Sequence, residues 1–117
     1  MSATPSPPYG GYRHPKDLPQ EIDPVAVYVA ALSRHPAVRT LILFGSRAIG
    51  DNYPRSDVDM AVVLDTEDRW AWHEVVEAAE DARTLIPIDL VRYEDTTRPF
   101  RDEIDQHGKV VYERAQG

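Results

Sequence analysis

The sequence predicts a small α/β (α+β) domain: one mixed sheet with helices packed on at least one face. Three observations predict it. Short β-prone apolar runs alternate with segments of helical periodicity, in the order α-β-α-β-α-β-α-β. The chain has 117 residues, which suffices for one hydrophobic core and not two. Its apolar fraction of 42% is too high for a wholly disordered chain. No internal repeat suggests a solenoid or an array.

Residues 1–23 read as a flexible, Pro-rich N-terminal tail, and residues 24–114 as the domain. Pro5, Pro7, Pro8, Pro15 and Pro19 interrupt any helix in the tail, and Gly10–Gly11 adds freedom. Asp23–Pro24 then has the form of an N-cap followed by proline at the first helical position. Val25, Val29 and Leu32 make the stripe of a helix that ends near His35–Pro36. Thr40 to Phe44 is short, apolar and β-prone, hence a strand. Gly45–Ser46 breaks it, with Ser46 placed to cap a short helix over Arg47–Ile49.

Gly50 to Arg55 reads as a loop, and Asp57 to Leu64 as a second strand. A helix is predicted from Glu67 to Arg83, with Ala71, Trp72, Val75, Val76, Ala78, Ala79 and Ala82 on a broad apolar face. Trp70 and Trp72 cannot share that face, so Trp72 is assigned to the core and Trp70 to the surface. Ile86 to Val91 is a third strand, whose Pro87 favours its beginning or an edge position. Residues 96–107 form a short helix with Phe100 and Ile104 inward, ended by His107–Gly108. Lys109 to Glu113 is the last strand, and Tyr93 and Tyr112 are read as strand residues.

Charge and composition narrow the function. Lys and Arg number 13 against 20 Asp and Glu, a formal net charge of -7, which argues against direct nucleic-acid binding through the surface as a whole. The excess lies after Leu64; Pro24 to Leu64 is close to neutral. With no cysteine there is no disulfide, thiolate nucleophile or cysteine-ligated zinc. No apolar run approaches the ~20 residues of a membrane span, and no signal peptide is evident. The expectation is a cytoplasmic domain with no membrane association. The histidines, His14, His35, His73 and His107, have no zinc-ligand spacing.

The informative residues are Gly45-Ser46-Arg47 and Ser56-Asp57-Val58-Asp59-Met60. With a period of two, Asp57 and Asp59 share one face of a strand, and Val58, Met60 and Val62 the other. Adjacent carboxylates repel unless a cation stands between them, and carboxylate oxygens are the preferred ligands of Mg²⁺. Asp89 interrupts the apolar run Ile86 to Val91, where an unpartnered charge is costly. If its strand lies beside the second, it reaches Asp57 and Asp59. It then serves as a third metal ligand and as a base for an attacking hydroxyl. The Gly45–Ser46 turn would offer backbone N–H groups and a hydroxyl to a phosphate. Arg47 either meets a phosphate or orients the loop, and Arg55 is the weaker nucleotide-binding candidate.

These residues together resemble the nucleotidyltransferase superfamily of the DNA-polymerase-β type, and most of all its minimal stand-alone MNT branch. The likeness rests on Gly45-Ser46, Asp57/Asp59 and Asp89, and spans about Val25 to Glu113. It implies a polymerase-β-like fold and Mg²⁺-dependent transfer of AMP from ATP to a hydroxyl. Asp57, Asp59 and Asp89 are then the catalytic and metal-binding residues, and Gly45, Ser46, Arg47 and Arg55 bind the nucleoside triphosphate. It further implies a HEPN-domain toxin as partner, a tyrosine of which receives AMP, with this chain as antitoxin in a homo- or hetero-oligomer. Ile49 departs from the family, where many relatives carry a basic residue. A non-catalytic antitoxin that neutralises a HEPN RNase by complex formation is the alternative. Transfer to a small molecule or an RNA end is disfavoured, because there is no room for an acceptor-binding domain.

Overall fold

In a computed structural model, which describes residues 23–115, the chain runs α1 (Pro24–Leu32), β1 (Val38–Phe44), α2 (Ser46–Ile49), β2 (Val58–Leu64), α3 (Arg69–Glu80), β3 (Ile88–Arg92), a 3-10 turn (Tyr93–Asp95), α4 (Arg98–His107) and β4 (Lys109–Glu113). Of the tail read at residues 1–23, residues 1–22 lie outside the described residues. The four strands form one mixed sheet in the order β3-β2-β1-β4. β1 pairs antiparallel with both β2 and β4, and β2 pairs parallel with β3. That parallel pair requires a crossover, which α3 supplies.

Local chemistry sets the element ends. Asp23 accepts a hydrogen bond from the Val25 amide and caps α1 with Pro24 in its first turn. Asp68 does the same for α3 through the Trp70 amide, so that helix starts two residues later than the periodicity suggests. It also stops at Glu80, short of Arg83. β1 begins at Val38 rather than Thr40, because Val38 reaches across to Leu64 beside a bulge. β3 starts after Pro87, and as an edge strand it tolerates that proline. Tyr93 is not in a strand: the chain leaves the sheet at Arg92 and turns through Tyr93–Asp95.

The core lies on one face of the sheet. Leu41, Leu43, Val58, Met60, Val62 and Leu64 alternate inward against Tyr28 and Leu32 of α1 and Val75 and Ala79 of α3. Trp72 packs against this core and Trp70 is exposed, as their spacing requires. α4 covers part of the opposite face, where Phe100 meets Phe44 edge to face with ring centroids 5.4 Å apart. Ile104, also on α4, is fully buried.

Gly108 closes α4 with a negative φ of -74°, so it is not a left-handed cap. Its reason is space: a Cβ there would stand 2.5 Å from the Ile104 carbonyl oxygen and 2.7 Å from Ile42 Cγ2. Gly108→Ala is therefore expected to destabilise the fold by about 1–3 kcal/mol through overpacking. Urea denaturation would register this as a lower midpoint at unchanged slope.

Candidate active site at the β2–β3 edge

Three segments meet at one end of the sheet. β2 places Asp59 directly beside Phe44 of β1 and, on its other side, in register with Asp89 of β3. Register partners in a parallel pair share a face, so Asp59 and Asp89 stand side by side on the face that carries Phe44 and α4. Asp57 comes two residues earlier, just before β2, and is exposed at the rim. Asp59 is half-buried, whereas Asp89 is exposed on the edge strand.

Gly45 follows Phe44 with φ of +74°, a conformation that side-chain-bearing residues rarely adopt. It is also pressed against the site. A Cβ built on it would fall on the Asp59 carboxylate at Oδ2, and 3.0 Å from Cγ. Glycine is thus required twice, for the turn and for the close approach of backbone to carboxylate. Gly45, and not Ser46, is the N-cap of α2. Ser46 occupies the first helical position, so its hydroxyl is not used in the N-cap bond expected of it.

Electrostatics tie the carboxylates together. Burial raises the Asp59 pKa above the ordinary carboxylate value, and the charges of Asp89 and then Asp57 raise it further. Among the described residues, none of the three forms an ion pair with a basic side chain. Three oxygen-donor carboxylates with no protein counterion fit a hard divalent cation. As they stand, however, the side chains are not drawn together: no group of three or more His, Asp or Glu among the described residues could hold an ion. The backbone register is in place, and the side chains would have to turn inward around a cation.

The arginines divide. Arg47 lies against the loop, donating from Nε and Nη2 to the Ser56 carbonyl and from Nη2 to that of Pro54. Of the two roles read for it, the structure shows the loop contact. Arg55 is exposed at the rim. Tyr28 had no site assignment in the sequence. It is buried on α1, its hydroxyl donates to the Ile86 carbonyl, and burial followed by the Asp57 charge raises its pKa. Position 28 lies one turn from Val25 and Leu32, a spacing that could have added it to the stripe. A groove of about 760 Å³ between α1 and α3, walled by Ala26, Ala30, Ala31, Ala78 and Ala82, contains none of the three acids. The candidate site is instead an open ledge at the sheet edge.

A mixed sheet in the order β3-β2-β1-β4, with a glycine turn into a short helix after β1 and acids in register on β2 and β3, has a nucleotidyltransferase-type fold. Residues 28–117 match the Polymerase beta nucleotidyltransferase family, and the chain belongs to it. Among solved structures it is similar to a toxin–antitoxin complex with AMP-PNP, at 26% identity and a TM-score of 0.56, covering 76% of this chain and 73% of that one. It also shares its fold with a chain from a tri-AMPylated Shewanella oneidensis HEPN toxin in complex with MNT antitoxin. There the identity is 22% and the TM-score 0.52, over 78% of this chain and 73% of that one. A MntA–HepT toxin–antitoxin structure gives 23% identity and a TM-score of 0.52, over 81% and 74% of the two chains. No curated protein matches the sequence. No helix among the described residues is long and apolar enough to cross a membrane.

Proposed function

We propose that this chain transfers AMP from ATP to a hydroxyl, a tyrosine of a HEPN-domain partner, and thereby acts as an antitoxin. The observation that carries the reading is the in-register pairing of Asp59 with Asp89 beside the Gly45 turn. It puts two carboxylates on one face, with a third at the rim and a glycine that leaves the approach unblocked. The two relatives whose structures hold AMP-PNP or an AMPylated HEPN toxin support the nucleotide and the partner.

In the transfer, the acceptor oxygen forms a bond to the α-phosphorus and the α–β phosphoanhydride bond breaks, releasing pyrophosphate. Asp89, exposed on the edge strand, accepts the hydroxyl proton. Asp57, Asp59 and Asp89 would hold Mg²⁺, which when bound supplies positive charge against the triphosphate and the leaving group. Gly45 and Ser46 offer the backbone and hydroxyl donors of the turn to a phosphate, and Arg55 is the basic side chain at the rim. In this reading the partner protein itself positions the hydroxyl.

The alternative is neutralisation of the partner by occlusion, without catalysis. One experiment separates the two. Wild-type protein, ATP labelled at the α-phosphate, Mg²⁺ and a purified HEPN partner should yield labelled partner, and Asp89→Asn should yield at least about 10²-fold less. Equal labelling by both proteins would remove Asp89 from the chemistry. Neutralisation of the toxin by a variant with Asp57, Asp59 and Asp89 all changed to Asn would establish occlusion.

A further inference from the structure

We infer that Arg47 is a positioning residue, which locks the loop carrying Asp57 to the helix that follows Gly45, rather than a ligand for the nucleotide's phosphates. The inference rests on the reading of the site given above. Asp57 lies outside β2, so the sheet ladder does not fix it. The preceding segment, 50–56, has no strand or helix of its own. Something must therefore hold the rim carboxylate near Asp59.

The Arg47 guanidinium does this from α2. Its Nε and Nη2 both donate to the carbonyl of Ser56, at 3.1 and 2.7 Å, and Nη2 also donates to the carbonyl of Pro54 at 3.0 Å. Ser56 is the residue immediately before Asp57. Its own Oγ accepts from the Tyr53 amide at 2.8 Å, and its amide donates to the Tyr53 carbonyl at 3.0 Å. The loop is thus closed on itself by Ser56 and fastened to α2 by Arg47. The Asp51 amide completes the attachment by donating to the Ser46 carbonyl at 3.1 Å. The fastening joins the two halves of the site, since Arg47 is two residues past Gly45 and Ser56 is one before Asp57.

The same contacts argue against a phosphate role. The Nε–Nη2 edge, one of the two that grips an oxyanion side-on, is already filled by Ser56. A lysine could keep the charge but not the planar fork that spans two carbonyls. Arg47→Lys and Arg47→Ala should therefore behave alike if Arg47 positions, and differently if it binds phosphate.

The test has two readouts. Hydrogen exchange on the protein alone, without nucleotide or partner, should show the Tyr53 and Ser56 amides, both hydrogen-bonded within the loop, exchanging faster in both variants, while β1 core amides keep their protection. In the transfer assay both variants should lose roughly 10–100-fold in kcat, the range for removing a group that orients a ligand, with KM for ATP nearly unchanged. Unchanged exchange at Tyr53 and Ser56 overturns the inference. So does a raised KM in Arg47→Ala that Arg47→Lys rescues. If wild-type protein transfers no label, the proposed reaction fails, yet the exchange experiment still decides whether Arg47 holds the loop.

Discussion

Asp59→Asn is expected to abolish transfer and yet to stabilise the metal-free fold. Transfer should fall by roughly 10³-fold or more, the scale of removing a group that organises charge stabilisation in the transition state. Stability should move the other way because the Asp59 pKa is raised by burial, Asp89 and Asp57. A carboxyl whose folded pKa exceeds its unfolded value favours the fold while protonated, and that advantage is lost as pH rises through the raised value. Above that value the wild-type fold carries an ionised group it would rather hold neutral, and asparagine does not. At pH 7 without metal the variant should melt above the wild type. The gap should close on acidification below the ordinary carboxylate range. Mg²⁺ should raise the wild-type melting temperature by mass action and leave the variant unmoved. Melting curves across pH, with and without Mg²⁺, check all three; a variant that melts lower at pH 7 would contradict the description of Asp59.

Gly45→Ala should be the most damaging substitution outside the three acids. It places a methyl group on the Asp59 carboxylate and forces alanine into φ of +74°. Backbone strain of this kind costs about 1–3 kcal/mol. Pushing Asp59 aside should cost at least about 10²-fold in transfer, because a shift of about 1 Å in a reacting constellation suffices for that. Gly50→Ala is the control: Gly50 has φ of +85° but nothing within 4 Å of a built Cβ. In the left-handed helical region and with open space around it, it should lose less stability than Gly45→Ala and keep its transfer rate below the melting point. Loss of transfer in both, or in neither, would mean that the contact with Asp59 does not matter.

Much of this was legible in the sequence because the signals were local or periodic. Asp23–Pro24, the strand alternation at Val58, Met60 and Val62, and the opposite placement of Trp70 and Trp72 each follow from a short-range rule, and each is found. The pairing of Asp59 with Asp89 was legible only conditionally. An acid inside Ile86 to Val91 is anomalous, but only the strand order puts it beside Asp59. Three features were not legible. Nothing local shows that Gly45 rather than Ser46 caps α2, since either residue suits that position. The Arg47 bonds to Ser56 and Pro54 depend on how the loop folds back over nine residues. Phe44 meets Phe100 across half the chain, so the wall beside Asp59 exists only in the tertiary fold.

The most direct test of the central idea is the position of one ion. Crystals grown with millimolar Mn²⁺ and a non-hydrolysable ATP analogue should show anomalous density bounded by Asp57 and Asp59, with Asp89 turned toward it. The Gly45–Ser46 turn should face the triphosphate. Nucleotide bound elsewhere, or manganese absent from these carboxylates while the analogue is bound, would contradict the assignment of this edge of the sheet as the site of nucleotidyl transfer.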